Sequence, residues 1–314
     1  MLPQFSHPIL ACVIVLLTCP NWNLRADSDG FAVDEQDQQL TITYSGKRVG
    51  EYVFRDEKIL RPYFANLHSL TGTPLTRNSP PIAGVDAVDH DTMHPGIWLA
   101  FGDINGDDFW RNKGQIRHER FAQSPVIHPN GVTFIADSRL ITSDGKPLCN
   151  LQSQFELSKQ HQGLLLVWAA KFHSETSDFT FGDQEEMGFG ARLATPLIEK
   201  NGGLIVSSGG LRTAQKTWGQ PASWCDYGKR LEGRDCGITL MTHPANFRES
   251  WWHNRDYGVF VANPFGRAAM KQGEKSAMTV KRGTPFTIKF AALLHDTTDY
   301  DPALGFREFL KIHP

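Results

Sequence analysis

The sequence predicts an all-β fold, a large antiparallel β-sandwich with one short C-terminal helix. Three observations carry this. From Gln115 onward the chain is a succession of strand-sized segments separated by turn residues, the spacing of a sandwich or barrel. One segment, Pro302 to Ile312, has near-helical spacing of Leu304, Phe306, Phe309 and Leu310, which suits a short helix with one face on a sheet. No linker rich in Pro, Ser or Gly and no internal repeat divides the 314 residues, so residues 27–314 are expected to form a single domain.

Each element follows from local pattern. Asp27 to Gln39 is polar and acidic and reads as a flexible start. Leu40–Tyr44 and Arg48–Phe54 flank Ser45-Gly46-Lys47 and form a hairpin. Ile59 to Leu67 reads as a strand, with Pro62 placing it at an edge or at a strand start. Thr71-Gly72-Thr73-Pro74 is a turn and Leu75 to Pro81 a loop. Ile97 to Phe101 is strand-like and apolar. Clear strands follow at Gln115–Phe121, Gly131–Leu140, Gln152–Leu157 and Leu164–Phe172, and then at Glu185–Leu193 and Leu204–Ser207. Ser223–Tyr227, Gly237–Thr242, Tyr257–Ala262 and Thr287–Leu294 complete the set.

Hydrophobic content of 40% and charged content of 21% fit a globular protein. A net charge of -2 argues against a nucleic-acid binder, which carries a basic face. The apolar run Ile9 to Thr18 is too short to span a bilayer. It reads as the core of a secretory signal over residues 1–26, cut after Ala26, which places the protein in the periplasm or outside the cell; a lipoprotein cut before Cys19 is the alternative. No membrane span is expected. Cys12 and Cys19 fall in that leader, leaving Cys149, Cys225 and Cys236. No Cys-x-x-Cys pair is present. A Cys225–Cys236 bridge and buried free thiols both remain open.

The chemistry concentrates in Asp86 to Trp110, where two histidines, six aspartates and two tryptophans surround an apolar run. Charges and imidazoles are rarely buried unpaired, so this is read as the lip of a polar pocket. His90 and His94 have metal-helix spacing, but Pro95 and Gly96 forbid the helix. They read as loop histidines contacting a ligand, or as a loop metal site with Asp86, Asp89 or Asp91. Trp98 lies in the strand; Trp110 is either a sugar platform or core. The acidic turn Asp103 to Asp108 reads as solvated, since it lacks the glutamate of a calcium loop. In a strand Glu185 to Arg192, alternation puts Glu186, Gly188, Gly190 and Arg192 on one face and Glu185 on the packing face. Glycines there mark close approach of a ligand or backbone. A third stretch, Trp224 to Tyr227 with Trp251 to Gly258, offers Asp226, His253 and Arg255 beside tryptophans. No nucleophile elbow, Walker loop or dinucleotide fingerprint is present.

Arg61-Pro62-Tyr63, Thr76-Arg77, Asp89-His90, His94-Pro95-Gly96-Ile97-Trp98, Asp108-Phe109-Trp110, Glu186-x-Gly188-Phe189-Gly190-x-Arg192, Trp251-Trp252-His253-x-Arg255-Asp256-Tyr257-Gly258 and Asn263-Pro264-Phe265-Gly266 together resemble a bacterial family labelled PmoA. The resemblance covers nearly the whole mature chain. The label implies a metal-dependent oxygenase acting on methane. A membrane-embedded monooxygenase subunit needs several apolar spans, and no segment after residue 20 is long enough, so the label is taken as a name. The family is similar in architecture to the galactose-mutarotase-like supersandwich, in which a glutamate and histidines sit in a groove on a concave sheet; that likeness does not fix a reaction. Relatives carry histidines where this chain has Met93 and Phe101, which leaves His90 and His94 of any cluster. No cofactor is expected.

The sequence therefore points to an exported carbohydrate-active protein with a small-molecule or oligosaccharide ligand and acid/base chemistry. Glu186 is expected as base and His94 as acid. His90, Arg77, Trp98, Trp110, Arg192, Asp226, His253 and Arg255 are expected to bind substrate. Hydrolysis would need a second carboxylate, Asp226 or Asp103. The alternatives are a non-catalytic carbohydrate-binding protein and the oxygenase of the label.

Overall fold

The computed structural model describes Met1 and residues 30–314. The leader expected over residues 1–26 lies, Met1 apart, outside the described residues. The strands are β1 (Phe31–Glu35), β2 (Gln39–Tyr44), β3 (Lys47–Val53), β4 (Tyr63–Ala65), β5 (Ile97–Phe101), β6 (Gln115–His128), β7 (Gly131–Ile141), β8 (Pro147–Gln160) and β9 (Gly163–His173). They continue as β10 (Phe179–Phe181), β11 (Met187–Arg192), β12 (Leu204–Ser207), β13 (Trp224–Leu231), β14 (Arg234–Thr242), β15 (Trp251–Asn254), β16 (Val259–Asn263), β17 (Met278–Val280) and β18 (Phe286–Thr297). A one-turn helix α1 (Ala214–Thr217) and the C-terminal helix α2 (Pro302–Ile312) complete the chain.

Two eight-stranded sheets hold most of the strands. The first runs β1-β2-β3-β4-β5-β11-β16-β15 and the second β12-β13-β14-β18-β9-β8-β7-β6. All named pairings are antiparallel, and a large core cluster from Phe31 to Leu294 fills the space between the sheets. The pattern of β7 shows why these residues form this layer. Val132, Phe134, Ala136 and Leu140 are buried, while Thr133, Ile135, Asp137 and Arg139 between them are half-buried. That is the period of a strand with one face on the core.

The helix α2 covers part of the outer face of the second sheet. Its Phe309 joins Leu165, Val167, Met241 and Leu293, with Phe306 and Leu310 alongside. Asp301 caps it, accepting from the Ala303 N–H at 2.9 Å, and Pro302 opens it. Leu304, expected on the apolar face, is outside this cluster.

Several expectations change. The polar start contains β1, because Phe31 inserts into the core and pairs opposite Tyr44. The strand expected from Ile59 to Leu67 shrinks to three residues, as Pro62 interrupts it. Cys149, Cys225 and Cys236 are buried free thiols. Cys225 pairs opposite Leu240 and Cys236 opposite Lys229, which keeps the two apart on neighbouring strands. Among the described residues no helix is long and apolar enough to cross a membrane.

Candidate functional site

The outer face of the first sheet carries its own apolar cluster, separate from the main core. Tyr63, Ala65, Trp98, Ala100, Trp110, Val259 and Val261 form it. Cross-strand register sets one row of this face as Tyr63, Trp98, Gly190, Val261 and His253. The missing side chain of Gly190 is what lets the Trp98 ring lie down. A Cβ there would meet the ring at 2.7 Å. The close approach that the glycines signalled is thus made by the protein's own tryptophan.

Above this floor stands a column of rings. The His94 ring stacks on Trp98 with centroids 5.3 Å apart and planes 17° apart, and Trp110 meets it edge-on at 5.7 Å. His90 is 5.1 Å from His94 and stacks beside Tyr257 at 6.4 Å. His94 is 2% exposed, and both of its ring nitrogens lack a hydrogen-bond partner among the described residues. Trp98 and Trp110, both expected to bind substrate, are wholly buried with their indole N–H groups unpartnered, so they underlie this face and present no surface to a ligand.

The loop that delivers the two histidines is held by buried arginines. Arg77 donates to the carbonyls of Ala87 at 2.8 Å, Asp89 at 2.7 Å and His94 at 3.2 Å. Arg192 donates to both oxygens of Asp89, at 3.2 and 3.0 Å, and its guanidinium lies 4.8 Å over the Tyr257 ring. Arg61 donates to the carbonyls of Met93 at 2.5 Å and Trp110 at 2.9 Å. Arg77 and Arg192, both expected to bind substrate, are each 2% exposed and spend their donors on this loop. Their part is positioning.

The second charged cluster forms around Glu185. Its Oε1 accepts from the Trp218 indole at 2.6 Å and from Arg255 at 2.5 Å, and lies 2.8 Å from His253 Nδ1 in poor hydrogen-bond alignment. The sequence assigned this place to Glu186. The strand begins only at Met187, and residues 185–186 lie in a bend, so strict alternation does not reach back to them. Glu186 instead contacts Arg111 at the rim. Two adjacent glutamates before a glycine-rich strand were the available signal.

Electrostatics revise the roles. Burial, reinforced by the nearby Arg192, lowers the His94 pKa to about 2. The ring is neutral at physiological pH, so the expected acid role for His94 does not fit. Burial also pushes His253 down. Partial burial opposes ionisation of Glu185, but His253, Trp218 and Arg255 outweigh it and hold the carboxyl well below its usual range. Burial raises the Tyr257 phenol, which stays protonated.

Asp226 lies elsewhere. It sits on β13 of the second sheet and accepts from Thr239 Oγ1 at 2.7 Å, with His295 Nε2 at 2.9 Å. It is therefore no partner for Glu186 in hydrolysis. Asp103 accepts from the Gly106 N–H at 2.9 Å within its own turn. The carboxylates considered for a loop metal are also engaged: Asp86 by Asn78, Ile82 and Thr195, and Asp89 by Arg192. Among the described residues no three His, Cys, Asp or Glu side chains gather as metal ligands.

Fold and site together define a two-sheet β-sandwich protein with an aromatic and histidine-lined face on one sheet. The chain belongs to DUF6807, a family of unknown function, whose model matches residues 39–303. That match brings no support to the PmoA label. No curated protein matches the sequence. Among solved structures, a galactose mutarotase-like protein from Lactobacillus casei is 12% identical with a TM-score of 0.37, covering 85% of this chain and 100% of its own. A galactose mutarotase related enzyme from Lactobacillus acidophilus is 10% identical with a TM-score of 0.37, covering 86% and 98%.

Proposed function

We propose that this is an exported carbohydrate-active protein that binds a sugar or sugar derivative on the outer face of the first sheet. The observation that supports this reading is the accessible rim over the buried rings, where His90 stacks beside Tyr257 and Glu185 accepts from Trp218 and Arg255, all of them at least partly exposed. A ligand rich in hydroxyls offers both donors and acceptors to these side chains, and the apolar face of its ring matches the partly exposed Trp218 and Tyr257 rings. In this reading Trp98 and Trp110, wholly buried, support the site from beneath, and His90 and Arg255 contact the ligand.

The chemistry proposed is proton transfer on the sugar. Neutral His253 acts as base, the Glu185 carboxylate 2.8 Å away stabilises the ring once it is protonated, and the Tyr257 phenol is the acid on this face. Glu186, paired with Arg111, binds at the rim. One observation favours the second reading, a non-catalytic sugar-binding protein: Asp89, Glu185 and Glu186 are all tied to arginines.

Neutral monosaccharides and their methyl glycosides, titrated by NMR, test both. Binding that Arg255→Ala abolishes, with anomer exchange accelerated by wild type and lost in His253→Gln, supports the catalytic reading. Binding without exchange supports the second. If no neutral sugar binds, both fail. Export is checked separately by fractionating cells that express the full chain; a full-length product confined to the cytosol would refute it.

A further inference from the structure

We propose a second ligand site on the opposite side of the molecule, a groove for an acidic oligosaccharide on the outer face of the second sheet. Helix α2 covers one part of that face. The part made by β6 to β9 is open and holds a groove of about 620 Å³. Register lays its side chains in rows. Arg139, Asn150 and His173 face one another in one row, and Asp137, Gln152 and Lys171 in the next.

A count of partners leaves two cations free. Arg120 pairs with Asp137 at 2.9 Å, and His173 Nε2 lies 3.3 Å from Glu175. Arg139 and Lys171 line the groove, yet neither makes an ion pair or side-chain hydrogen bond among the described residues. They stand on β7 and β9, two strands apart. Strand spacing puts their backbones about 10 Å apart, so the two long side chains can close on one anion or engage two charges along a chain. The occupant is acidic, and a groove of about 620 Å³ has room for a chain of sugar units rather than a lone ion. Between the cations lie Asn150, whose amide both donates and accepts, and Gln152, whose nitrogen donates to Asp137 at 3.0 Å and whose oxygen accepts, as hydroxyl recognition requires. Arg139 supplies the planar fork that suits a carboxylate or sulfate. A uronate-bearing or sulfated sugar chain meets all three demands. A nucleic acid meets the charge demand alone, and a net charge of -2 works against it.

The ligand class rests on the carbohydrate reading, but the site is independent of the first face. The test uses trigalacturonate, neutral galactotriose and a short oligodeoxythymidine of equal charge, each titrated calorimetrically. Wild-type protein is expected to bind trigalacturonate with an affinity that falls as salt rises. The Arg139→Gln/Lys171→Gln variant should lose at least tenfold, with an unchanged unfolding temperature and unchanged binding of neutral monosaccharides at the first face. Undetectable trigalacturonate binding, or equal binding by the variant, overturns the proposal. Equally tight binding of oligodeoxythymidine overturns the sugar assignment. A failure confined to neutral monosaccharides would strike the first face alone.

Discussion

Asp89 holds Arg192 with both carboxylate oxygens, at 3.0 and 3.2 Å, joining the histidine loop to the centre of the first sheet. Arg192 is almost wholly buried, whereas the Asp89 side chain is 39% exposed. Arg192 and His90 hold the Asp89 carboxyl below its usual range against partial burial. Asp89→Asn should lower stability by about 1–2 kcal/mol, a figure reduced from that of a buried pair because Asp89 is screened by solvent. The sign follows from the depressed value: the contribution is present above pH ~4, the unfolded range, and fades as pH falls. Urea unfolding at pH 7 and pH 3 checks this. An equal deficit at both pH values would contradict it.

Asp296 plays a comparable role near the end of β18, a central strand of the second sheet. Ser69 donates to it at 3.1 Å and Thr73 at 2.5 Å, Thr71 also donates, and Arg234 donates at 2.5 Å. Burial opposes ionisation, but these donors hold the carboxyl low. Its side chain is 3% exposed. Asp296→Asn should cost about 2–3 kcal/mol at neutral pH, since it leaves hydroxyls and a guanidinium competing for one acceptor. The gap to wild type should narrow below pH ~4, where the unfolded carboxyl also takes up its proton. A variant as stable as wild type at pH 7 would show that these bonds add nothing net.

What the sequence reveals of this site depends on distance along the chain. His90, His94, Trp98 and Trp110 fall in one segment, and the structure gathers them into one cluster. The strands were legible because residues such as those of β7 alternate strictly, and α2 because Phe306, Phe309 and Leu310 recur at near-helical spacing. Asp226 looked equivalent to His253 because both stand near tryptophans, but the two strands belong to different sheets. Nothing local records that choice. Glu185 was hidden by the bend before Met187, where period-two reasoning stops. The roles of Arg77 and Arg192 were invisible because their partners are backbone carbonyls and a distant carboxylate.

Gly190 gives a test of the ring floor. An added methyl would sit 2.7 Å from the Trp98 ring and 3.0 Å from a Val261 methyl. Both neighbours are fully buried, so neither yields freely. Gly190→Ala should cost about 1–3 kcal/mol and tilt the indole, changing tryptophan fluorescence and near-ultraviolet circular dichroism. Unchanged spectra with unchanged stability would mean that the floor has slack.

The neutral state of His94 has a consequence for acid stability. In the unfolded chain a histidine titrates near pH ~6.5, but in the fold burial and Arg192 keep the ring unprotonated down to about 2. Below pH ~6.5 the unfolded state therefore binds one proton more, and stability falls as pH falls. From pH 7 to pH 5 this one ring should remove about 2 kcal/mol. His94→Gln deletes that share. Whatever its stability at pH 7, the variant should lose about 2 kcal/mol less than wild type on going to pH 5 in urea titrations. Equal losses would mean that the ring is protonated in the fold, and would return His94 to the acid role.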